Sequence, residues 1–280
     1  MANKIEIITD INGVERRCGS LEVPDGFVSA FPGYDTIVNP WPDDDIRSAI
    51  TAPNRRPSRV TFNEKWTQNQ LSHGSCNGFL VAQLMGKGRW LKGFHDGLLF
   101  SGAYPYSKMN NNQDNGSVLE TGMHVICEQG DCLESLVNAN MIYSRQQPKS
   151  ADAMASLHKG YNPFLVQGLQ QLRTALAQQI PVGIAVQFGP NFQRFDERGV
   201  GGIDNGSGNH AVVADDLVLI DGEEYLDVHN QHGNQFGKFK NGRGYYPMRL
   251  IQQTMPRHCF YILGSVTESE TPSGNSGEAA

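Results

Sequence analysis

The sequence predicts an α+β fold in which helices come first and strands second. Three observations predict it. The stretches Asn77–Met85 and Val118–Gln129 lack proline and carry apolar residues over a length suited to a helix. Later, Val182, Ile184, Val186 and Phe188 alternate with the period of a strand, and further β-rich runs follow. The chain has 280 residues, 39% apolar and 19% charged, enough to bury one substantial core as a compact unit. A net charge of -6 gives no reason to expect nucleic acid or an anionic membrane as partner.

Taken in order, residues 1–55 read as an N-terminal extension, with strand-like patches at Ile5–Thr9 and Phe27–Ile37 broken by Pro24, Gly26, Pro32 and Gly33. The opening residues lack the long apolar stretch of a signal peptide. Asn39–Asp45 starts a short helical stretch or a surface turn. From Val60 to about Ala139 the character is helical. One helix is expected to start at Cys76, capped by Ser75, and to end near Gly86 or Gly88. A second helical run covers Leu98–Tyr106. The tract Met109–Ser117 has almost nothing to bury and reads as a loop. The helix after it should stop at Gly130.

Pro148–Asn162 is polar and reads as a surface excursion, after which Leu165, Leu169, Leu172 and Leu176 form one stripe of an amphipathic helix stopped by Pro181. Strands are expected at Val182–Phe188, Ala211–Ile220, Glu224–His229 and Cys259–Leu263. The compact domain spans residues 56–266, and residues 267–280 form an acidic tail with no large apolar residue, expected to be disordered.

The chemistry sits in the loop Asn69–Cys76, which brings a cysteine to the first turn of a helix. Unpaired amide donors and the positive end of the helix dipole there favour thiolate over thiol. This loop resembles the nucleophile loop of papain-like cysteine peptidases, in which Asn-Gln precedes Gly-Ser-Cys and the glutamine stands six before the cysteine, as Gln70 does here. Gly208-Asn209-His210-Ala211-Val212 is similar to the segment that presents that family's histidine. Val228–Gly237 is similar to its asparagine segment, with Asn230 three before Gly233 and Gly237 four beyond that.

The resemblance implies a two-lobed fold, a helical lobe followed by an antiparallel β-barrel-like lobe, with the active-site cleft between them. It implies a peptidase needing no cofactor and no metal, acting on protein or peptide substrates through an acyl-enzyme. In it Cys76 is the nucleophile, His210 the proton carrier and Asn230 the orienter of the imidazole. Gln70 and the Cys76 amide are the oxyanion donors, and Gly116, Ser117 and Asn209 contact substrate. His73 stands where secreted members carry a disulfide cysteine. With five irregularly spaced cysteines, this fits synthesis in a reducing compartment such as the cytoplasm. Cys127, Cys132, His229 and His232 have poor zinc spacing.

Two positions depart from the family: Asn77 and His232 stand where it has tryptophans, and both changes are expected to wet the site. Two other readings compete: a cell-wall amidase with a related Cys-His arrangement, and an inactive papain-fold protein serving a larger assembly such as a viral particle.

Overall fold

The computed structural model describes residues 5–62 and 64–267, so all but the first residue of the tail expected to be disordered lies outside the described residues. The chain opens with a hairpin of β1 (Glu6–Thr9) and β2 (Glu15–Cys18), paired antiparallel with Glu6 opposite Cys18. Its turn forms because the Asp10 carboxylate accepts the N–H groups of Asn12 and Val14 and Gly13 takes φ +78°. The second expected strand, Phe27–Ile37, is irregular apart from a single 3-10 turn at Tyr34–Thr36. Prolines remove donors there, and the N–H groups of Ala30 and Phe31 go to the side chains of Glu120 and Ser29 instead of a neighbouring strand.

The helices follow: α1 (Asp43–Ile50), α2 (Ser58–Thr61), α3 (Cys76–Leu91), α4 (Ala103–Met109) and α5 (Leu119–Glu128). Three aspartates open α1, where the helix dipole favours them, and settle the choice between helix and turn. Helix α3 does not stop at Gly86 or Gly88. Gly86 serves packing, since a Cβ there would come within 2.4 Å of the Trp66 ring. Nor does Ser75 cap it: the hydroxyl is buried without a partner. The run Leu98–Tyr106 is helical only from Ala103, because Phe100 bridges to Leu133 in extended form. Helix α5 stops as expected, with Gly130 at φ +86°.

The polar stretch 148–162 holds α6 (Ala151–Ser156), anchored by buried Ala151 and Ala155 at helical spacing, and the start of β3 (Gly160–Val166). Leu165 therefore belongs to a strand, and α7 (Gly168–Ala177) buries Leu172 and Leu176 of the expected stripe. The remaining elements are β4 (Val182–Val186), β5 (His210–Ile220), β6 (Glu223–His229), β7 (Arg243–Pro247), α8 (Arg249–Gln252) and β8 (Phe260–Val266).

Strands β3 to β8 form one antiparallel sheet in the order β3-β8-β4-β5-β6-β7. Among the described residues β3 and β7 are not paired with each other, so the expected barrel-like lobe is an open sheet. Helix α3 packs on α4 and α5 on one side and on β5 and β8 on the other, which places it between the helical lobe and the sheet lobe. One apolar cluster joins α3 to the sheet, and a second, around Tyr104, Tyr106, Val137 and Ile142, fills the helical lobe.

A buried ionic network ties the same elements together. Lys87 on α3 lies 2.7 Å from Asp215 on β5, which Arg243 on β7 also reaches at 2.5 Å; Arg243 meets Asp227 on β6 at 3.1 Å. Burial pushes the Asp215 carboxyl up, but the two cations prevail and hold it well below the usual carboxylate range. Breaking such a pair would leave an uncompensated buried charge, so the network fixes α3 relative to β5 and β6. Those elements carry Cys76 and His210 and lead into Asn230.

Candidate active site

The loop before α3 is held on both sides. The Gln70 N–H donates to the Gln231 carbonyl at 2.9 Å, and Asn69 bridges to His232. The Gly74 N–H donates to Asp114 at 2.9 Å; Asp114 also accepts from the Tyr106 hydroxyl at 2.7 Å and lies 3.7 Å from His73. Asp114 lies in the tract Met109–Ser117, whose composition offers almost nothing to bury. The loop therefore delivers Cys76, fully buried, to the first position of α3.

The thiol is neutral in this form. Burial pushes it up to about 11, against the N–H groups of Ala211, Gly19 and Asn77 that point at the sulfur and favour thiolate. The expected bias of the helix terminus is thus present but outweighed by desolvation.

His210 opens β5 and is fully buried. Its Nε2 lies 2.8 Å from Asn230 Oδ1, which also accepts the Gln231 N–H at 2.9 Å, while Asn230 Nδ2 lies 3.3 Å from His232 Nδ1. These neighbours fix the amide orientation, so the ring donates from Nε2 and leaves Nδ1 as a free acceptor. Nδ1 is buried with no hydrogen-bond partner. The Cys76 thiol meets the N–H of the very next residue, Ala211. Burial lowers the imidazole to about 4 despite the pull of Asn230, so the ring is neutral as well.

The two departures do not wet the site. His232 stacks on His210 with centroids 4.8 Å apart and planes 29° apart, and the edge of Phe188 closes on His232 at 4.8 Å. His210 and Asn230 are both fully buried beneath this cover. Asn77 donates to Ser117 Oγ at 2.9 Å and to the Val118 carbonyl at 2.6 Å, so it fastens the start of α3 to the segment that should contact substrate.

Gln70 is fully buried, and its amide donates to the His73 carbonyl at 2.8 Å, leaving its second N–H for another acceptor.

The cleft between Ser117 and Asn209 is not empty. Residues after β2 run through it as an extended strap: the Ser117 N–H donates to the Gly19 carbonyl at 2.8 Å, the Leu21 N–H to the Ser117 carbonyl at 3.0 Å, and the Ser20 N–H to the Asn209 carbonyl at 3.0 Å. Ser20 and Ser117 pair in parallel. Glycines permit the close approach, since a Cβ on Gly116 would lie 2.3 Å from the Gly19 oxygen and one on Gly19 would lie 1.9 Å from the Gly74 oxygen. Arg16 fastens the strap, bonding Asp10 at 2.9 Å, Asn69 Oδ1 at 3.1 Å and the Leu71 carbonyl at 2.7 Å. All three expected substrate contacts thus touch the chain's own N-terminal residues, Gly116 by close packing and the others by hydrogen bonds. Nothing local in Arg16–Leu21 signals this, because the partners lie far along the sequence.

No family model matches the sequence, and no curated protein matches it. Solved structures do. The chain is similar to xylellain, a cysteine protease from Xylella fastidiosa, with a TM-score of 0.61 and 17% identity over 89% of this chain and 97% of that one. It is similar to procathepsin B from Trypanosoma congolense, with a TM-score of 0.63 and 13% identity over 87% and 85% of the two chains. The proform of the ragweed pollen cysteine protease Amb a 11 gives a TM-score of 0.59 and 21% identity over 76% and 67%. The fold is that of papain-like cysteine proteases.

Proposed function

We propose that this papain-like fold is a cysteine peptidase whose described form is latent. The observation that carries the reading is the placement of three side chains on the rigid frame. Cys76 starts α3, His210 starts β5 with a free Nδ1, and Asn230 follows β6 and holds the other ring nitrogen at 2.8 Å. In the reaction, His210 takes the Cys76 proton and the thiolate attacks a peptide carbonyl. The oxyanion is met by the Cys76 amide and the free N–H of Gln70. His210 then protonates the leaving amine and deprotonates the water that hydrolyses the acyl-enzyme.

The strap is poor bait for this chemistry. The Gly19 N–H points at the thiol, and the Gly19 carbonyl oxygen accepts the Ser117 N–H. Strap and substrate compete for the same two edges, so turnover requires the strap to leave. Its departure also lets water reach the thiol and imidazole, removing part of the burial that keeps both neutral.

An occupied cleft and a neutral thiol equally suit a papain-fold protein that has given up catalysis. Labelling with an epoxysuccinyl peptide probe, mapped by mass spectrometry, separates the two. A variant with the strap displaced should be modified at Cys76 alone, and adding His210→Ala should abolish most of that reactivity. Slow modification scattered over several cysteines and indifferent to His210 would reject the peptidase.

A further inference from the structure

At the far end of α3 from Cys76, roughly 20 Å along the helix axis, a cavity of about 300 Å³ opens between the Tyr34–Thr36 turn, the residues that follow α7 and strand β8. Ile37, Leu91, Ile180 and Ile262 give it apolar walls, and Ile37 and Leu91 stay 56% and 48% exposed. The volume suits a small ligand.

Two buried polar groups in its lining, the Tyr34 hydroxyl and Gln178 Nε2, make no hydrogen bond of good geometry. The Gln178 amide does approach the phenol oxygen. Even a full bond between them would leave the Tyr34 O–H and the second amide hydrogen without an acceptor. Burial pushes the phenol up, against the pull of Gln178, so it keeps the proton it has to donate. Carbonyls at the ends of the neighbouring helices are already taken: Gly88 and Trp90 accept the N–H groups of Lys92 and Gly93, and Leu176 and Ala177 accept from Arg55. Among the described residues of the lining, Lys92 is the one charged side chain. Two donors and a cation beside apolar walls call for an anionic head on an apolar body. The acidic residues after Thr267 follow β8 directly in the chain, but they include no large apolar side chain that could fill such walls.

We infer that this cavity is a binding site for a small aliphatic monocarboxylate. The carboxylate is met by the Tyr34 hydroxyl and the Gln178 amide with Lys92 beside them, and the aliphatic chain lies along Ile180 and Ile262. The site shares no residue with the proposed cleft, and its test needs no catalysis.

Octanoate is the probe, titrated into the full-length chain by calorimetry, and it should bind saturably. Tyr34→Phe and Gln178→Leu should each weaken binding at least about tenfold, since each removes a hydrogen bond to a charged group. Lys92→Gln should weaken it by less, because Lys92 is exposed. Octylamine, with the same chain and the opposite charge, should not bind. The inference is overturned by the absence of saturable octanoate binding, by octylamine binding as well as octanoate, or by Tyr34→Phe and Gln178→Leu proteins that melt cooperatively and bind as the parent does. Binding that appears only after residues 268–280 are removed would also overturn it, assigning the cavity to the chain's own tail.

Discussion

Gly19→Val is the sharpest perturbation of the strap. Its Cβ would be placed 1.9 Å from the Gly74 oxygen and 2.6 Å from the Gly74 carbon, both backbone atoms of the nucleophile loop, so no rotamer relieves the clash. The segment must lift, giving up the bonds between Ser117 and Gly19, Leu21 and Ser117, and Ser20 and Asn209. At about 0.5–1.5 kcal/mol net for each, these hold the closed form by roughly 1.5–4.5 kcal/mol, an equilibrium factor of about 10 to 2,000. Alkylation of Cys76 at neutral pH should accelerate within that range. The pH of half-maximal reactivity should fall from about 11, because burial is the main cause of the raised thiol value. Arg16→Ala, which removes the latch to Asn69 and Leu71 without a clash, should give a smaller acceleration. Val28→Ala, at an 85% exposed position, is the control and should change nothing. A folded Gly19→Val protein, shown by a single cooperative melt, that alkylates at the parent rate would refute the claim that the strap guards the thiol.

In the opened protein, Cys76→Ala should abolish peptide hydrolysis, whereas Gln70→Ala should leave about 10⁻²–10⁻³ of kcat/KM; equal loss would argue against an oxyanion role for Gln70. Acid should destabilise the fold: His210 is lowered to about 4, so between pH 6.5 and 4 the unfolded chain takes up a proton that the folded chain refuses. Stability then falls with pH by roughly 3 kcal/mol for that ring. His229 and His232, also held below their ordinary range by burial, act in the same direction, and urea titrations at pH 7, 5.5 and 4 should show the loss. Asn77→Ala removes the bonds to Ser117 and Val118 and should cost about 1–3 kcal/mol in the same titration at neutral pH, an unchanged midpoint counting against the fastening role.

What could be read from the sequence was local. Strands β4 and β5 announce themselves through β-branched residues at positions later found buried, and α5 through its glycine stop. The cysteine, histidine and asparagine were legible because each sits in a short stretch whose neighbours are also constrained. What escaped depends on partners distant in the chain. Lys87 inside α3 looks like a solvated charge until Asp215 is beneath it, and Gly86 looks like a helix stop until Trp66 fills its space. Asp114 sits in a run of asparagines with no burial signal, yet it braces Gly74 and Tyr106. The strap is the extreme case, an extended segment whose donors and acceptors are matched only by Ser117 and Asn209.

Under the proposed reading, latency and the neutral state of Cys76 and His210 have a common origin. Closing the strap removes water from the sulfur while offering it one N–H from Gly19 in exchange, and desolvation outweighs that donor. The imidazole is also covered by His232 and Phe188, which follow β6 and β4 and are not part of the strap. Opening therefore relieves the thiol more than the ring. Under the proposed reading, the opened site gains activity chiefly by lowering the cost of the thiolate, with His210 already oriented by Asn230 before substrate arrives. No bond need be cut for this, since the strap is held by hydrogen bonds that a substrate backbone can replace along the same two edges.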